Sequence, residues 1–219
     1  DIEVGDEIEV FYQAPIGDRV RLRLLWPWMF VHYGEDEAGG VYDVGHTFWI
    51  TVTDSGGTAK ATATANTEPA GGGPDGVWEN GFTVAGGDWS PSEPDIQPGD
   101  WVHFQSDDGY NNSVHVGTIT GGIGAAADTV SGALEGPWLA SQTVEVIVGG
   151  WGFPTFEEDT VDLDATGRGE YFVDFSPTDL PPDISVGANY VEPDKDRVYN
   201  GIFVGGEVYL PIVIKNYAP

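Results

Sequence analysis

A hairpin-like segment occurs three times in the 219-residue chain, and this recurrence restricts the possible folds more than any other feature. Each copy opens with Asp-Ile, reaches a glycine within a few residues, and continues as two alternating apolar and polar runs around a short break. The copies begin at Asp1, Asp95 and Asp183, which lie 94 and 88 residues apart. A period of about 90 residues is the size of one immunoglobulin-like β-sandwich. The sequence therefore predicts a tandem array of such units.

The segments between the hairpins match each other in the same order. The strand-like run 46–52 corresponds to 142–148, and the run 77–84 corresponds to 170–175. Abundant glycine and proline (32 and 15 residues) with many β-branched and aromatic residues is typical of short strands and tight turns. No stretch has helical periodicity with caps. We therefore predict an all-β fold of two tandem immunoglobulin-like β-sandwiches, with an N-terminal hairpin and a surplus C-terminal strand.

The repeat also sets the expected domain boundaries. The first unit covers 1–116, including the N-terminal hairpin 1–24, and the second covers 117–206. Residues 207–219 form a C-terminal strand or tail. We expect two separate hydrophobic cores, with the changeover near Gly117 to Gly122.

Charge excludes some classes of partner. The chain has 8 Lys and Arg against 36 Asp and Glu, a formal net charge of −28. Such a charge repels nucleic acids and anionic membrane surfaces. With Asp1 as first residue and no apolar run of membrane-spanning length, the sequence fits a mature secreted chain after removal of its signal peptide, and it fits a proteolytic fragment of a longer protein equally well. We expect an extracellular or cell-surface location.

Several motifs resemble a known family. They are Asp128–Ala133, Val144–Val146, Asp164–Gly167, Tyr171–Phe175, the hairpin start Asp95–Asp100 and the tail Val208–Tyr217. Together they resemble the tandem immunoglobulin-like repeats of secreted bacterial adhesins and cell-surface structural proteins. The resemblance implies a structural or adhesive role at the cell surface, and it implies no catalytic residue.

Two histidines are the obvious candidates for a zinc or copper site. In a symmetric hairpin centred on Gly109, His103 and His115 face each other. The equivalent positions of the first hairpin are Glu9 and Arg21, a potential ion pair. We therefore favour a solvent-facing cross-strand pair over a metal site.

Clustered carboxylates make calcium the candidate cofactor. The residues concerned are Asp162, Asp164, Asp194 and Asp196. We expect a chelator to lower the melting temperature, and calcium but not sodium to restore it. No nucleophile motif, phosphate loop or singled-out carboxylate pair is present, which indicates a protein that is not an enzyme.

The eight tryptophans suggest an alternative function, since aromatic side chains stack on sugars. Trp26, Trp28 and Trp49 lie in apolar runs and are expected in the core. The others flank loops rich in Gly and Pro, where they either plug the ends of a sandwich or form exposed platforms; those considered are Trp78, Trp89, Trp138 and Trp151. The alternative to a structural protein is therefore a carbohydrate-binding or adhesive module with glycan ligands.

Both terminal segments are candidates for assembly. The N-terminal hairpin is a closing hairpin without a sandwich of its own in this sequence; its apolar positions are Ile2, Val4, Ile8 and Val10. The C-terminal strand has no counterpart in the repeat; its apolar residues are Val208, Tyr209, Leu210, Ile212, Val213 and Ile214. The alternative for either segment is that it folds back onto its own chain. We expect instead that the C-terminal strand is donated to a neighbouring copy, giving a head-to-tail homopolymer such as a surface filament, sheath or layer.

Overall fold

The computed structural model describes residues 8–13, 19–24, 27–69, 80–149, 156–176, 178, 180 and 185–203. These residues form an all-β structure with sixteen strands and three single-turn 3-10 helices, which confirms the predicted fold class. None of the described helices is long and apolar enough to span a membrane.

The strands up to the end of the second hairpin are β1 (Ile8–Gln13), β2 (Arg19–Leu24), β3 (Trp28–His32), β4 (Glu37–Val41), β5 (Thr47–Thr53), β6 (Ala59–Asn66), β7 (Gly81–Val84), β8 (Trp101–Ser106) and β9 (Asn111–His115). The remaining strands are β10 (Thr118–Gly124), β11 (Thr129–Glu135), β12 (Thr143–Gly149), β13 (Glu157–Asp162), β14 (Arg168–Asp174), β15 (Ser185–Val191) and β16 (Arg197–Phe203). The 3-10 helices are Gly86–Asp88, Ala125–Ala127 and Pro137–Leu139.

Strands β3 to β9 form the first sandwich. One layer has the strand order β3-β4-β7, and the other has the order β6-β5-β8-β9. Phe48 of β5 and Phe82 of β7 stack between the layers with ring centroids 4.3 Å apart. Alternate residues of β5 point inward, as a period of two requires.

Strands β10 to β16 repeat this plan strand for strand. The order β10-β11-β14 corresponds to β3-β4-β7, and the order β13-β12-β15-β16 corresponds to β6-β5-β8-β9. Tyr171 and Val173 of β14 and Val146 of β12 are buried between these layers. The predicted matching of elements between the two units is therefore confirmed.

The two sandwiches are joined by a parallel strand pair. The start of β16 pairs with β3 in the register Arg197↔Phe30, Val198↔Val31 and Tyr199↔His32. This pairing produces one seven-stranded sheet in the order β13-β12-β15-β16-β3-β4-β7. The buried apolar side chains form one continuous cluster across both sandwiches, so the expectation of two separate cores is not met. The exact domain boundaries remain a prediction.

The register of the hairpins differs from the predicted one. His103 pairs with Ser113, and His115 pairs with Trp101, so the two histidines do not face each other. The reason is that the turn is centred on Asp108 rather than Gly109. Asp108 accepts hydrogen bonds from Ser106 Oγ and from the backbone N–H of Tyr110, which fixes this turn.

The first hairpin shows the same kind of shift. Glu9 pairs with Arg23, and Arg21 pairs with Phe11, so the predicted Glu9–Arg21 pair is wrong. The argument that drew on this pair against a metal site therefore fails. The observed register gives His103 and His115 different cross-strand partners, and this argues directly against a metal site formed by the two facing histidines.

The predicted core position of Trp49 is also wrong. Its side chain is 46% exposed, whereas its neighbours Phe48 and Ile50 are fully buried. The run of apolar residues in β5 hides the period of two, because the outward position is occupied by an aromatic residue.

The buried and exposed neighbours in β5 give a test of the core. Phe48→Ala should lower the free energy of unfolding by about 3–5 kcal/mol, since it leaves a cavity against Phe82. Trp49→Ala should lower it by less than about 1 kcal/mol, since its side chain is half exposed. Urea unfolding of both variants measures the difference, and equal losses would contradict the inward orientation of Phe48.

Candidate functional site: the joint between the two units

The most constrained polar site of the described structure is the joint, which we define as the contacts between residues 27–116 and residues 117–203. Its centre is the turn 192–196, which connects β15 to β16 and lies against β3 and β9. Asp196 in this turn is fully buried. Its Oδ1 accepts a hydrogen bond from the backbone N–H of Met29 at 2.7 Å, and its Oδ2 accepts one from Asn112 Nδ2 at 2.7 Å. One carboxylate thus ties the second unit to two strands of the first.

A stack of aromatic rings extends the joint. Trp138, in the 3-10 helix Pro137–Leu139 after β11, stacks on His115 of the first unit with ring centroids 3.5 Å apart. His115 in turn stacks on Trp101 at 4.0 Å. The indole Nε1 of Trp138 donates a hydrogen bond to Glu192 Oε1 at 2.9 Å, so the stack is connected to the turn 192–196.

The short connection between the units is held by Tyr190. Its hydroxyl accepts a hydrogen bond from the backbone N–H of Gly117 at 2.8 Å and donates one to the carbonyl of His115 at 3.4 Å. A Cβ at Gly117 would lie 2.5 Å from the Tyr190 hydroxyl and 2.9 Å from the Glu135 carbonyl. Glycine is therefore required at 117 by the close approach of these two oxygens.

Further contacts surround this connection. Tyr33 Oη donates to the carbonyl of Ile119 at 2.8 Å, and Asn200 Nδ2 donates to the same carbonyl at 2.9 Å. The Arg197 guanidinium lies 4.5 Å from the ring centroid of Trp28, a cation–π contact between the units. The joint is therefore a network of specific contacts and not a flexible linker.

The carboxyl groups of the joint are shifted towards their neutral forms. The pKa of Glu192 is raised to about 8, mainly by burial; the hydrogen bond from Trp138 opposes this shift, and repulsion from Asp194 and Asp196 contributes to it. Burial likewise raises the pKa of Asp196 to about 7, against the bond from the Met29 N–H. Desolvation disfavours the charged form of a buried carboxyl group. The stability of the joint is therefore expected to depend on pH near neutrality.

The four residues predicted to bind calcium lie in or next to two turns. Asp162 Oδ1 accepts a hydrogen bond from Thr143 Oγ1 at 2.6 Å, at the end of β13. Asp164 caps the following turn, and hydrogen bonds from Thr166 and Arg168 lower its pKa.

The other two residues belong to the joint. Asp194 is exposed, whereas both oxygens of Asp196 accept hydrogen bonds from protein groups. The structure therefore gives Asp196 a structural role, and calcium binding by this set remains a prediction.

The residues predicted for assembly are described only in part. Ile8 and Val10 lie in β1, which pairs with β2 in a two-stranded sheet. Ile2, Val4 and the C-terminal positions fall outside the described residues; these positions are Val208, Tyr209, Leu210, Ile212, Val213 and Ile214. Donation of the C-terminal strand therefore remains a prediction.

Two histidine and carboxylate clusters were not predicted from the sequence. His46 Nδ1 lies 2.9 Å from Asp107 Oδ1 and 3.7 Å from Asp108 Oδ2. The second cluster consists of His32, Glu35 and Glu37. In the first cluster, the hydrogen bond to Asp107 raises the pKa of His46, which is consistent with an ion pair between a loop and the β8–β9 turn.

The tryptophans beside loops are partly structural. Trp89 is 5% exposed, and its Nε1 donates to the carbonyl of Asp36 at 2.9 Å, which matches the predicted plug at the end of a sandwich. Trp138 belongs to the joint. Trp26, Trp78 and Trp151 lie outside the described residues.

Comparison with known proteins does not assign a family, since no family model and no curated protein matches the chain. Among solved structures, the chain is similar to a tetra-tandem repeat in the extending region of a large adhesion protein, with a TM-score of 0.29 and 19% identity, over 82% of this chain and 49% of that chain. It is also similar to a pullulanase from Anoxybacillus sp. LM18-11, with a TM-score of 0.26 and 7% identity, over 80% of this chain and 25% of that chain. A Group B Streptococcus pullulanase gives a TM-score of 0.27 and 10% identity, over 78% of this chain and 22% of that chain.

The chain thus spans about half of the adhesion-protein structure and about a quarter of each pullulanase. These scores are too low to support an argument about function, which we base on the joint.

The buried carboxyl groups predict how stability depends on pH. Unfolded Asp and Glu ionise near about pH 4, whereas the folded pKa values of Asp196 and Glu192 are about 7 and about 8. Between these limits unfolding releases protons, so the free energy of unfolding should fall as the pH rises. The slope contributed by each group is up to about 1.4 kcal/mol per pH unit.

Urea unfolding from about pH 5 to about pH 8 measures this slope. Asp196→Asn and Glu192→Gln should each reduce it, because the amide cannot ionise. Glu158→Gln, at an exposed position of β13, is the control and should leave the slope unchanged. Stability that rises over this range, or variants with the slope of the parent, would contradict the assignment.

Proposed function

We propose that the chain is a structural segment of an extracellular surface or adhesion protein, in which it holds successive immunoglobulin-like units at a fixed orientation. The observation that carries the proposal is the joint. The closing hairpin β15–β16 of the second unit extends along the first unit and adds a strand to its sheet at β3. Fixed connections of this kind suit a protein that transmits force or presents a distant surface, because they keep successive units aligned.

The energetics of the joint support a rigid connection. Strand addition provides main-chain hydrogen bonds, and the buried carboxyl group of Asp196 has a partner on each of two strands, β3 and β9. Each of these hydrogen bonds contributes about 0.5–1.5 kcal/mol net to the joint, because water replaces the protein partner when the units separate. Interfaces that lack these contacts allow domains to move relative to each other.

The charge and the sequence resemblance support the extracellular location. A net charge of −28 favours solubility and disfavours association with nucleic acids. The strongly shifted carboxyl groups Glu192 and Asp196 are engaged in contacts of the joint, which supports a structural rather than a catalytic role for them. We further propose that copies of this chain assemble into a surface filament, sheath or layer. Under the alternative, glycan binding, the exposed Trp49 offers an aromatic surface.

Distance measurements between two spin labels test the rigidity of the joint. The chain has no cysteine, so Ser55→Cys and Glu158→Cys place one label on an exposed position of each unit. We expect a narrow distance distribution for this labelled parent. Adding Trp138→Ala and Asp196→Ala should broaden it, because the aromatic stack and the buried carboxylate are then lost.

The matched control carries Trp49→Ala and Asp88→Ala, which remove an exposed tryptophan and an exposed aspartate of the first unit. It should keep the narrow distribution. A broad distribution in the labelled parent would show independent units and would contradict the proposed function.

A further inference from the structure

We propose that the outer face of the sheet β6-β5-β8-β9 binds a neutral polysaccharide, with Trp49 stacked on one of its hexopyranose rings. This activity adds to the proposed structural role and makes the first unit the adhesive part of the chain. The structural role rests on the joint, so the two proposals depend on different residues.

Trp49 lies at the centre of this face. Its strand, β5, has a neighbour on each side, and Trp49 pairs with Thr64 of β6 and with Gln105 of β8. The side chain is half exposed, between the fully buried Phe48 and Ile50. Among the described residues, no other large apolar side chain is exposed on this face. The indole ring is therefore a single aromatic surface held on an inner strand.

Neutral hydrogen-bonding groups surround the indole ring. Residues that are opposite each other in antiparallel strands share a face, so two neighbouring rows of side chains cross the four strands. These rows are Thr64, Trp49, Gln105 and Asn111, followed by Thr62, Thr51, His103 and Ser113. All eight side chains are exposed or half-buried. Their hydroxyl, amide and imidazole groups offer both donors and acceptors, which is what the hydroxyl groups of a sugar require.

The polar groups of this face are partly free and partly fixed. Neither Trp49 Nε1 nor the Gln105 amide has a protein partner among the residues that the structure describes. In the next row, the His103 ring is held by Ser113 Oγ at 2.8 Å and by Thr53 Oγ1 at 3.3 Å. A ligand thus meets free hydrogen-bonding groups beside side chains that are already ordered, which reduces the entropy lost on binding.

The lack of carboxylates distinguishes this face from the rest of the chain. Asp and Glu account for 36 of the 219 residues, yet β5, β6, β8 and β9 contain neither. The carboxylates on either side of β8 have basic partners. Asp100 lies 2.7 Å from Lys60 Nζ. Asp107 lies 2.9 Å from His46 Nδ1.

The corresponding layer of the second unit is acidic. Since 46–52 corresponds to 142–148, the counterpart of Trp49 is Glu145 of β12. The edge strand β13 contains four further carboxylates, namely Glu157, Glu158, Asp159 and Asp162. The neutral face is therefore a property of the first unit and not a consequence of the shared fold.

The charge of the chain and of this face selects the chemistry of the ligand. A net charge of −28 repels anionic polymers and membranes, and it attracts cationic partners to the acidic surfaces rather than to this face. Protein partners bind through clusters of anchoring side chains, whereas this face exposes a single aromatic residue. A neutral face on an acidic protein is complementary to a ligand without charge.

A hexopyranose unit meets these requirements. Its apolar C–H groups pack on the electron-rich face of an aromatic ring. Its hydroxyl groups lie around the edge of the sugar ring, where Thr64 and Gln105 are available on opposite sides of Trp49. An aromatic platform with a few polar groups beside it is the usual composition of a small-molecule site.

Native affinity electrophoresis of the full chain tests the proposal. Each gel contains one soluble polymer: a mixed-linkage β-glucan, a galactomannan, dextran or, as the charged control, alginate. We expect at least one neutral polymer to retard the chain and alginate to have no effect. Isothermal titration calorimetry with that neutral polymer should give the same affinity at low and high salt, because salt screens only charges.

Single substitutions locate the site. Trp49→Ala should weaken binding by about tenfold or more, the range found for stacked aromatic side chains. Gln105→Ala should weaken it by about two- to tenfold, the contribution of a hydrogen bond. The matched control is Phe172→Ala. Phe172 is exposed on β14 but shares its face with Glu170 and Asp174, so its loss should leave binding unchanged.

Circular dichroism establishes that the variants are folded. Failure of all three neutral polymers to bind the parent, or unchanged binding by Trp49→Ala, would overturn the proposal. Self-association of the parent that is lost in Trp49→Ala, measured by sedimentation velocity, would also overturn it, because a second copy would then cover the face. In each of these cases a narrow spin-label distance distribution would leave the proposed function intact.

Discussion

The arrangement of the two units depends on the parallel pairing of β16 with β3. Three register pairs between β16 and β3 join the sheet of the second sandwich to the sheet of the first. The paired residues, 197–199 and 30–32, lie far apart in the sequence. The pairing is short, so it needs the contacts beside it. Asp196 fixes the start of β16 through the Met29 N–H, and Trp138 and Tyr190 fix the connection on the other side. The continuous core agrees with this geometry, since buried apolar residues of both sandwiches belong to one cluster.

The joint combines strength with sensitivity to pH. Asp196 and Glu192 are buried and have raised pKa values, so each is most easily accommodated in its neutral form. Ionisation would place two charges beside Asp194 in a region of low polarity. A buried polar network of this kind favours one arrangement over others, because a shifted arrangement leaves groups unpaired. The network thus fixes the orientation of the two units, and we expect the free energy of unfolding to fall as the pH rises.

The sequence predicted the repeated elements but not their connection. The strong β-forming residues of β5 and the recurring hairpins are local patterns, and they led to the correct strands and to the correct matching of units. The register of β8–β9 was missed because it depends on the hydrogen bonds of Asp108, which no spacing rule contains. The joint was missed because Met29 and Asp196 lie 167 residues apart.

A disulfide between β3 and β16 measures the central claim most directly. Neighbouring strands lie about 4.8 Å apart, within the Cα separation of about 4.4–6.8 Å that a disulfide requires. Phe30→Cys with Arg197→Cys places two cysteines at register partners in a chain that has none of its own. The account predicts rapid intramolecular cross-linking of this pair under mild oxidation. It predicts little cross-linking of Phe30→Cys with Gly201→Cys, which lies on the same face four residues further along β16. Equal cross-linking of both pairs, or none in the first, would contradict the parallel joint.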